Sequence, residues 1–131
     1  MSCTIVCMWK KSNPLKIRLA IHDDAPGVAH CFYSAVHEKG QGFYLEDVLN
    51  DWAPPVTAER ITEHYHQILD PDLEIYVAEA EGNIVGVMII NLPEHKMSGL
   101  YVRSNPYGLV GTRLVRKAKD RMQELGIPEM I

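Results

Sequence analysis

From Leu15 onward, apolar residues recur with two different spacings, and the switches between them divide the chain into elements. Leu15 to Ile21, LKIRLAI, alternates apolar with charged or small residues and predicts a first strand. Asp23 or Asp24 is placed to cap a helix with Pro26 in its first turn. Val28, Phe32, Ala35 and Val36 give that helix one apolar face to about His37, and Gly40 and Gly42 end it. Phe43 to Trp52 predicts a short helical turn, closed by Pro54 and Pro55. Thr57 is positioned to cap the next helix, whose apolar face reads Ile61, Tyr65, Ile68 and Leu69 until Asp70, Pro71 and Asp72 break it.

The spacing then shortens. LEIYVAEA, Leu73 to Ala80, and IVGVMIINL, Ile84 to Leu92, flank a hairpin turn at Glu81, Gly82 and Asn83. The second run is almost wholly apolar, as suits a central strand buried on both faces. Met97 to Val102 predicts a third strand of this group. Val110, Leu114, Val115, Ala118, Met122 and Leu125 form a helical stripe, Gly126 caps it, and Ile127 to Ile131 begin another strand. This order predicts one α/β domain over residues 15–131, preceded by a leader or extra strand over residues 1–14.

Composition narrows the partners. Of 131 residues, 47% are hydrophobic and 23% charged, which calls for one packed core. The net charge of -4 gives no electrostatic reason to bind nucleic acid. No apolar run approaches the roughly 20 residues of a membrane span. Cys3, Cys7 and Cys31 are too few, and odd in number, for a disulfide framework, so a cytoplasmic setting with reduced thiols is expected. His64 and His66, two apart on a helix, do not share a metal as i, i+4 histidines do, and no metal site is expected.

Three segments carry a family likeness: IRLAIHDDAPGVAHCF, the hairpin EIYVAEAEGNIVGVMII, and GLYVRSNPYGLVGTRLV leading into a helix that ends ELGI. In this order they resemble the GNAT superfamily of acyl-CoA-dependent N-acyltransferases, over roughly Leu15 to the C-terminus. The resemblance implies a mixed, mostly antiparallel sheet flanked by helices, with a splay after the strand ending at Val102. It implies acetyl-CoA as acyl donor. The pantetheine arm would pair with backbone groups of Leu100, Tyr101 and Val102. The pyrophosphate would rest on Tyr107, Gly108, Leu109, Val110, Gly111 and Thr112. Physical chemistry points the same way, because the first N–H groups of a helix lack intrahelical acceptors and its dipole favours anions there. Arg113, in the first turn, is placed to pair with a phosphate.

The likeness is imperfect. The family motif is Arg or Gln, two residues, Gly, one residue, then Gly or Ala. With Gly111 as its last small residue, Leu109 stands at the middle Gly and Pro106 at the Arg or Gln, in a loop one residue short. Pro106 has no N–H and Leu109 is bulky, so three readings stay open: a distorted cradle crowded by Leu109, one in which Asn105 and Tyr107 take over some contacts, or a strand-to-helix turn that no longer binds; retained binding is the expectation. Family members also continue with a strand, a helix and a hairpin, which often carry a tyrosine that protonates the leaving thiolate. A fragment, a shortened member, and a second chain that supplies the missing edge all fit this sequence; because an uncovered apolar edge invites pairing, a homo-oligomer is expected, with CTIVCMW as one candidate for an added strand.

Acetyl transfer needs a neutral amine, a base to take its proton, and N–H groups to polarise the thioester carbonyl. The family often places an acidic residue on the strand ending at Val102. Lys96 stands there, and Glu94, two residues earlier and on the same face if the strand extends that far, is the candidate base; it reads also as a solvated loop carboxylate after Pro93. His30, Tyr33 and His37 share one helical face, and Phe43, Tyr44 and Trp52 sit in the connection that usually shapes the acceptor site in this family; each set is a candidate pocket wall, although such residues are more often ordinary surface or core packing. Arg116, Lys117, Lys119 and Arg121 read as a solvated face. The expected function is N-acetyl transfer from acetyl-CoA to a small-molecule or peptide amine. The alternatives are an inactive acyl-CoA-binding module and a small oligomeric interaction domain.

Overall fold

The computed structural model describes residues 15–103 and 109–127. The elements run β1 (Lys16–Leu19), one 3-10 turn (His22–Asp24), α1 (Ala25–Gly40), α2 (Glu46–Trp52), α3 (Ala58–Leu69), β2 (Leu73–Ala80), β3 (Asn83–Asn91), β4 (Lys96–Val102) and α4 (Val110–Glu124). The four strands form one sheet in chain order, every neighbouring pair antiparallel. The expected leader strand, the strand stub after Ile127, and Asn105 to Gly108 lie outside the described residues.

Local chemistry explains most boundaries. Glu81 and Gly82 both take positive φ, 54° and 81°, the two-residue turn whose twist matches the β2–β3 hairpin. Thr57 Oγ1 accepts from Arg60 N at 3.2 Å and caps α3. Asp24 does not cap α1 with its side chain. Its carboxylate accepts from Ile21 N at 2.8 Å and from Arg18 at 2.7 and 3.0 Å, which ties β1 to the start of α1. The Arg18 guanidinium holds the Asp24 carboxyl below the usual carboxylate range.

Alternation along the strands sends side chains into two cores. Ile75, Val77 and Val87 pack with Val28 and Cys31 of α1, and Ile68 of α3 joins them. Tyr76, Ala78, Met88 and Ile90 face Val110, Leu114, Ala118 and Met122 of α4 on the other side. The inward face of α3 differs from its sequence pattern: His64 is buried, while Tyr65 and Leu69 are exposed. Burial lowers the His64 pKa, and its Nδ1 donates to Gln67 Oε1 at 3.1 Å.

Two features set α4 in place. A Cβ on Gly86 would lie 2.7 Å from Val110 Cγ1 and 2.9 Å from Leu114 Cδ1, so glycine lets the first turn of α4 settle against β3. Further along, Arg121 is not merely solvated as its sequence position suggests. Its Nε and Nη2 donate to the two Glu74 carboxylate oxygens at 2.8 and 2.7 Å, and Tyr76 Oη donates to Glu74 at 3.0 Å. Arg121 holds the Glu74 carboxyl below its ordinary range, while burial and then Glu74 push the Tyr76 phenol up to about 12. Among the described residues, no helix is long and apolar enough to cross a membrane.

Candidate functional site

The site begins on β4. Within the described sheet, β4 pairs only with β3, so its outer edge presents backbone groups without a strand partner. Arg103 N donates to Val85 O at 2.9 Å. Backbone groups alternate direction along a strand, so those of Tyr101 also aim at β3 and those of Leu100 and Val102 aim outward. Of the three residues expected to pair with an arm, Leu100 and Val102 are therefore the ones oriented for it. Tyr101 is occupied on the α1 side of the sheet, where its ring stands edge-on to Phe32 with centroids 4.5 Å apart. The Cys31 thiol donates to Tyr101 O at 3.9 Å, and burial pushes that thiol up to about 12, so it stays protonated and unreactive.

The pairing register contains an irregularity that the sequence pattern does not announce. Ile89 opposes Gly99 and Ile90 opposes Met97, which leaves Ser98 as an extra residue in β4 without a partner on β3. A bulge of this kind bends the strand and re-aims its backbone groups.

Past Val102 the chain returns at Leu109 to open α4. Leu109 takes φ 59°, a left-handed conformation that costs a non-glycine residue about 1–2 kcal/mol. Its side chain is 74% exposed, so the bulk expected to crowd the cradle stands in solvent at the rim. Leu109 O accepts from Arg113 N, and the N–H groups of Val110, Gly111 and Thr112 before it have no intrahelical acceptor. Among the described residues, a Cβ on Gly111 would meet only Val102 Cγ2, at 3.7 Å, which is ordinary contact. The fold therefore does not demand glycine there, and its absence of a side chain keeps the ground in front of these amides open.

Two cavities adjoin this helix start and share Leu100, Gly111 and Thr112, so they form one trough. One, of about 340 Å3, adds Val102, Leu109 and Val110 and the cations Lys39 and Arg103. The other, of about 460 Å3, adds Val115 and the cations Arg116 and Lys119. Among the described residues, no carboxylate lines either part. Lys39, Arg103, Arg116 and Lys119 are functional candidates that the sequence reading missed. Nothing in the sequence marks Lys39 or Arg103 for this role, and Arg116 and Lys119 carry no signal beyond their place on the polar side of α4.

A third cavity, of about 320 Å3, lies between α1 and α2 and has the opposite character. His37, Glu38, Gln41, Gly42, Tyr44, Glu46 and Leu49 line it. His37 is held in place: Nε2 donates to Ala53 O at 2.8 Å, and Tyr33 stacks on the ring at 3.9 Å between centroids. Tyr44 meets Trp52 edge-on at 4.8 Å, and Phe43, Tyr44, Leu45 and Trp52 are all exposed. The candidate walls of the sequence reading thus divide. His37 and Tyr44 reach this cavity, whereas Tyr33 supports His37 from behind.

Glu94 is not on the strand. It stands in the turn before β4, its N–H donates to Asn91 Oδ1 at 3.1 Å, and its carboxylate pairs with Lys96 at 2.9 Å. The alternation argument that gave Glu94 and Lys96 a common face therefore does not reach it. At about 3.3 Å per residue, Lys96 lies about 20 Å along β4 from Val102, and Glu94 lies beyond it.

Comparison with known proteins supplies context for this arrangement. A family profile described as "Acetyltransferase (GNAT) family" matches residues 43–131. No curated protein sequence matches the chain. Among solved structures, the PaiA N-acetyltransferase from Thermoplasma acidophilum in complex with coenzyme A superposes with a TM-score of 0.68 at 19% identity, over 86% of this chain and 74% of that one. A GCN5-related N-acetyltransferase from Rhodopseudomonas palustris gives 0.71 at 22% identity, over 86% and 68%. An aminoglycoside acetyltransferase from an uncultured soil metagenomic sample, in complex with sisomicin, gives 0.60 at 20% identity, over 92% and 77%. At such identities the likeness is one of fold.

Proposed function

This chain belongs to the acetyltransferase (GNAT) family, and we propose that it moves an acetyl group from acetyl-CoA to an amine. The observation that carries the reading is the trough: an outward-facing strand edge that runs into a helix start with free amides and flanking cations. The coenzyme A complex of a structural neighbour supports the same donor.

In this reading the pyrophosphate lies over the amides of Val110, Gly111 and Thr112, with Lys39 and Arg103 beside it. Tyr107 and Gly108 belong to the same loop and are retained as binding candidates. The arm pairs with the outward groups of Leu100 and Val102 and brings the thioester toward the bulge at Ser98, where displaced backbone N–H groups polarise its carbonyl. A neutral amine attacks the carbonyl carbon, the C–S bond breaks, and the amine's proton passes to Glu94 directly or through water. The thiolate leaves and takes a proton from solvent. Glu94 supports this role by standing in the turn just before β4, beside Lys96.

The α1–α2 cavity, with two carboxylates and no Lys or Arg among its described lining, is suited to a positively charged part of the acceptor remote from the reacting nitrogen. The aminoglycoside complexed to one neighbour is such a polycation. A cytoplasmic setting is part of the proposal, as is self-association through the exposed Phe43, Tyr44, Leu45 and Trp52. A monodisperse monomer in sedimentation at working concentration would remove self-association.

Calorimetric titration with acetyl-CoA, followed by an amine screen read by thiol release, tests the function. Micromolar binding with turnover supports it. Binding without turnover of any amine would leave an acyl-CoA-binding module, and no binding to folded protein would defeat both readings.

A further inference from the structure

The last turn of α1 separates the two kinds of cavity, and among the described residues an ion pair crosses between them. Glu38 lines the α1–α2 cavity, and the residue after it, Lys39, lines the trough. Arg103, which also lines the trough, donates from Nη2 to Glu38 Oε2 at 3.2 Å. The two side chains are 40% and 32% exposed, so this pair is a weak and exchangeable contact and not a buried strut. A guanidinium offers five N–H donors in a fork that matches phosphate oxygens two at a time. A pyrophosphate in the trough carries more charge than one half-solvated carboxylate and competes well for Arg103.

We propose that Glu38 restrains Arg103 in the empty protein, and that donor binding transfers Arg103 from Glu38 to the pyrophosphate. The transfer shifts the charge of Glu38 toward the α1–α2 cavity and raises its affinity for a cation. This inference rests on the trough being the coenzyme A site. Linkage makes the effect reciprocal: a cation held at Glu38 favours coenzyme A by the same factor that coenzyme A favours the cation. Glu38 acts as a positioning residue through Arg103, and the pyrophosphate of one substrate and the remote cationic group of the other promote each other's binding through this exchange.

The test is calorimetric titration of coenzyme A into the full chain and its variants, each first shown to be folded by thermal unfolding. Arg103→Gln is expected to weaken coenzyme A binding about twofold to fivefold, and Glu38→Gln to tighten it by a similar factor. Glu46→Gln, in the same cavity but without the Arg103 contact, is expected to gain clearly less. Weakened or unchanged affinity in Glu38→Gln overturns the inference, because a purely structural pair fails alike from either side. An equal gain in Glu46→Gln also overturns it, because general charge then suffices. Should Glu38→Gln not fold, Glu38→Asp keeps the charge but shortens the reach, and is expected to tighten binding; no gain there overturns the inference. Wild-type protein that binds no coenzyme A defeats the donor reading itself. That result is distinct from intact wild-type binding with no gain in the Glu38 variants.

Discussion

The trough beside α4 and the cavity beside α2 are built by the same stretch of helix, yet they differ in almost every respect. The trough combines backbone amides with Lys39, Arg103, Arg116 and Lys119. The cavity combines Glu38 and Glu46 with aromatic and imidazole rings. Neither reflects the average chain, whose net charge is -4. The lesson is that local geometry, not bulk composition, decides which ions a surface welcomes: screening over about 8 Å lets two cavities keep opposite fields side by side.

The largest expected effect tests whether the two cavities serve one reaction. Glu94 belongs to neither, and Glu94→Gln is expected to lower the rate of acetylation about a hundredfold while coenzyme A affinity holds. Full activity across the pH profile would exclude it as the base. Next, Gly111→Asp places a negative charge before the α4 amides and is expected to weaken coenzyme A binding about tenfold. Gly111→Ala, whose added carbon meets only Val102 among the described residues, should not lower thermal stability. Unchanged coenzyme A affinity in a folded Gly111→Asp variant would move the donor site elsewhere.

A smaller effect probes the other cavity. Glu46→Gln is expected to raise the KM of an amine carrying a second positive charge about twofold to fivefold, and to leave that of a monoamine alone. An equal rise for both would detach this cavity from acceptor recognition. The smallest effect concerns His64, which lines neither cavity. Its lowered pKa means that below about pH 6.5 the unfolded chain binds a proton the native chain refuses. Stability is therefore full above that pH and declines as pH falls through it. His64→Gln should flatten that slope in thermal unfolding, and a wild-type curve without the decline would contradict the buried neutral ring.

How much of this was legible depended on range. The β2–β3 hairpin, the Thr57 cap and the α4 stripe were readable because each is decided by residues within a few positions of one another. The α3 face was misread because Tyr65 and Leu69 count as apolar and His64 does not, although packing on Phe32, with ring centroids 5.9 Å apart, turned the imidazole inward. The bulge at Ser98 follows from how β3 and β4 pair, and nothing in KMSGLYV marks it. Arg103 meets Glu38 across 65 positions, a contact that only the folded topology creates. The family likeness pointed to the segment before α4, but it could not say that Leu109 would turn its side chain outward.

Glu38 and Lys39 reach different cavities because each helical residue turns the chain by about 100°. The end of α1 therefore works as a partition whose two sides are fixed by counting. A single residue inserted earlier in the helix would rotate the carboxylate and the ammonium together, disturb the field on both sides and separate Glu38 from Arg103. On that account α1 tolerates changes of residue more readily than changes of length. Insertions and deletions here are the ones that would erase the division between anion and cation.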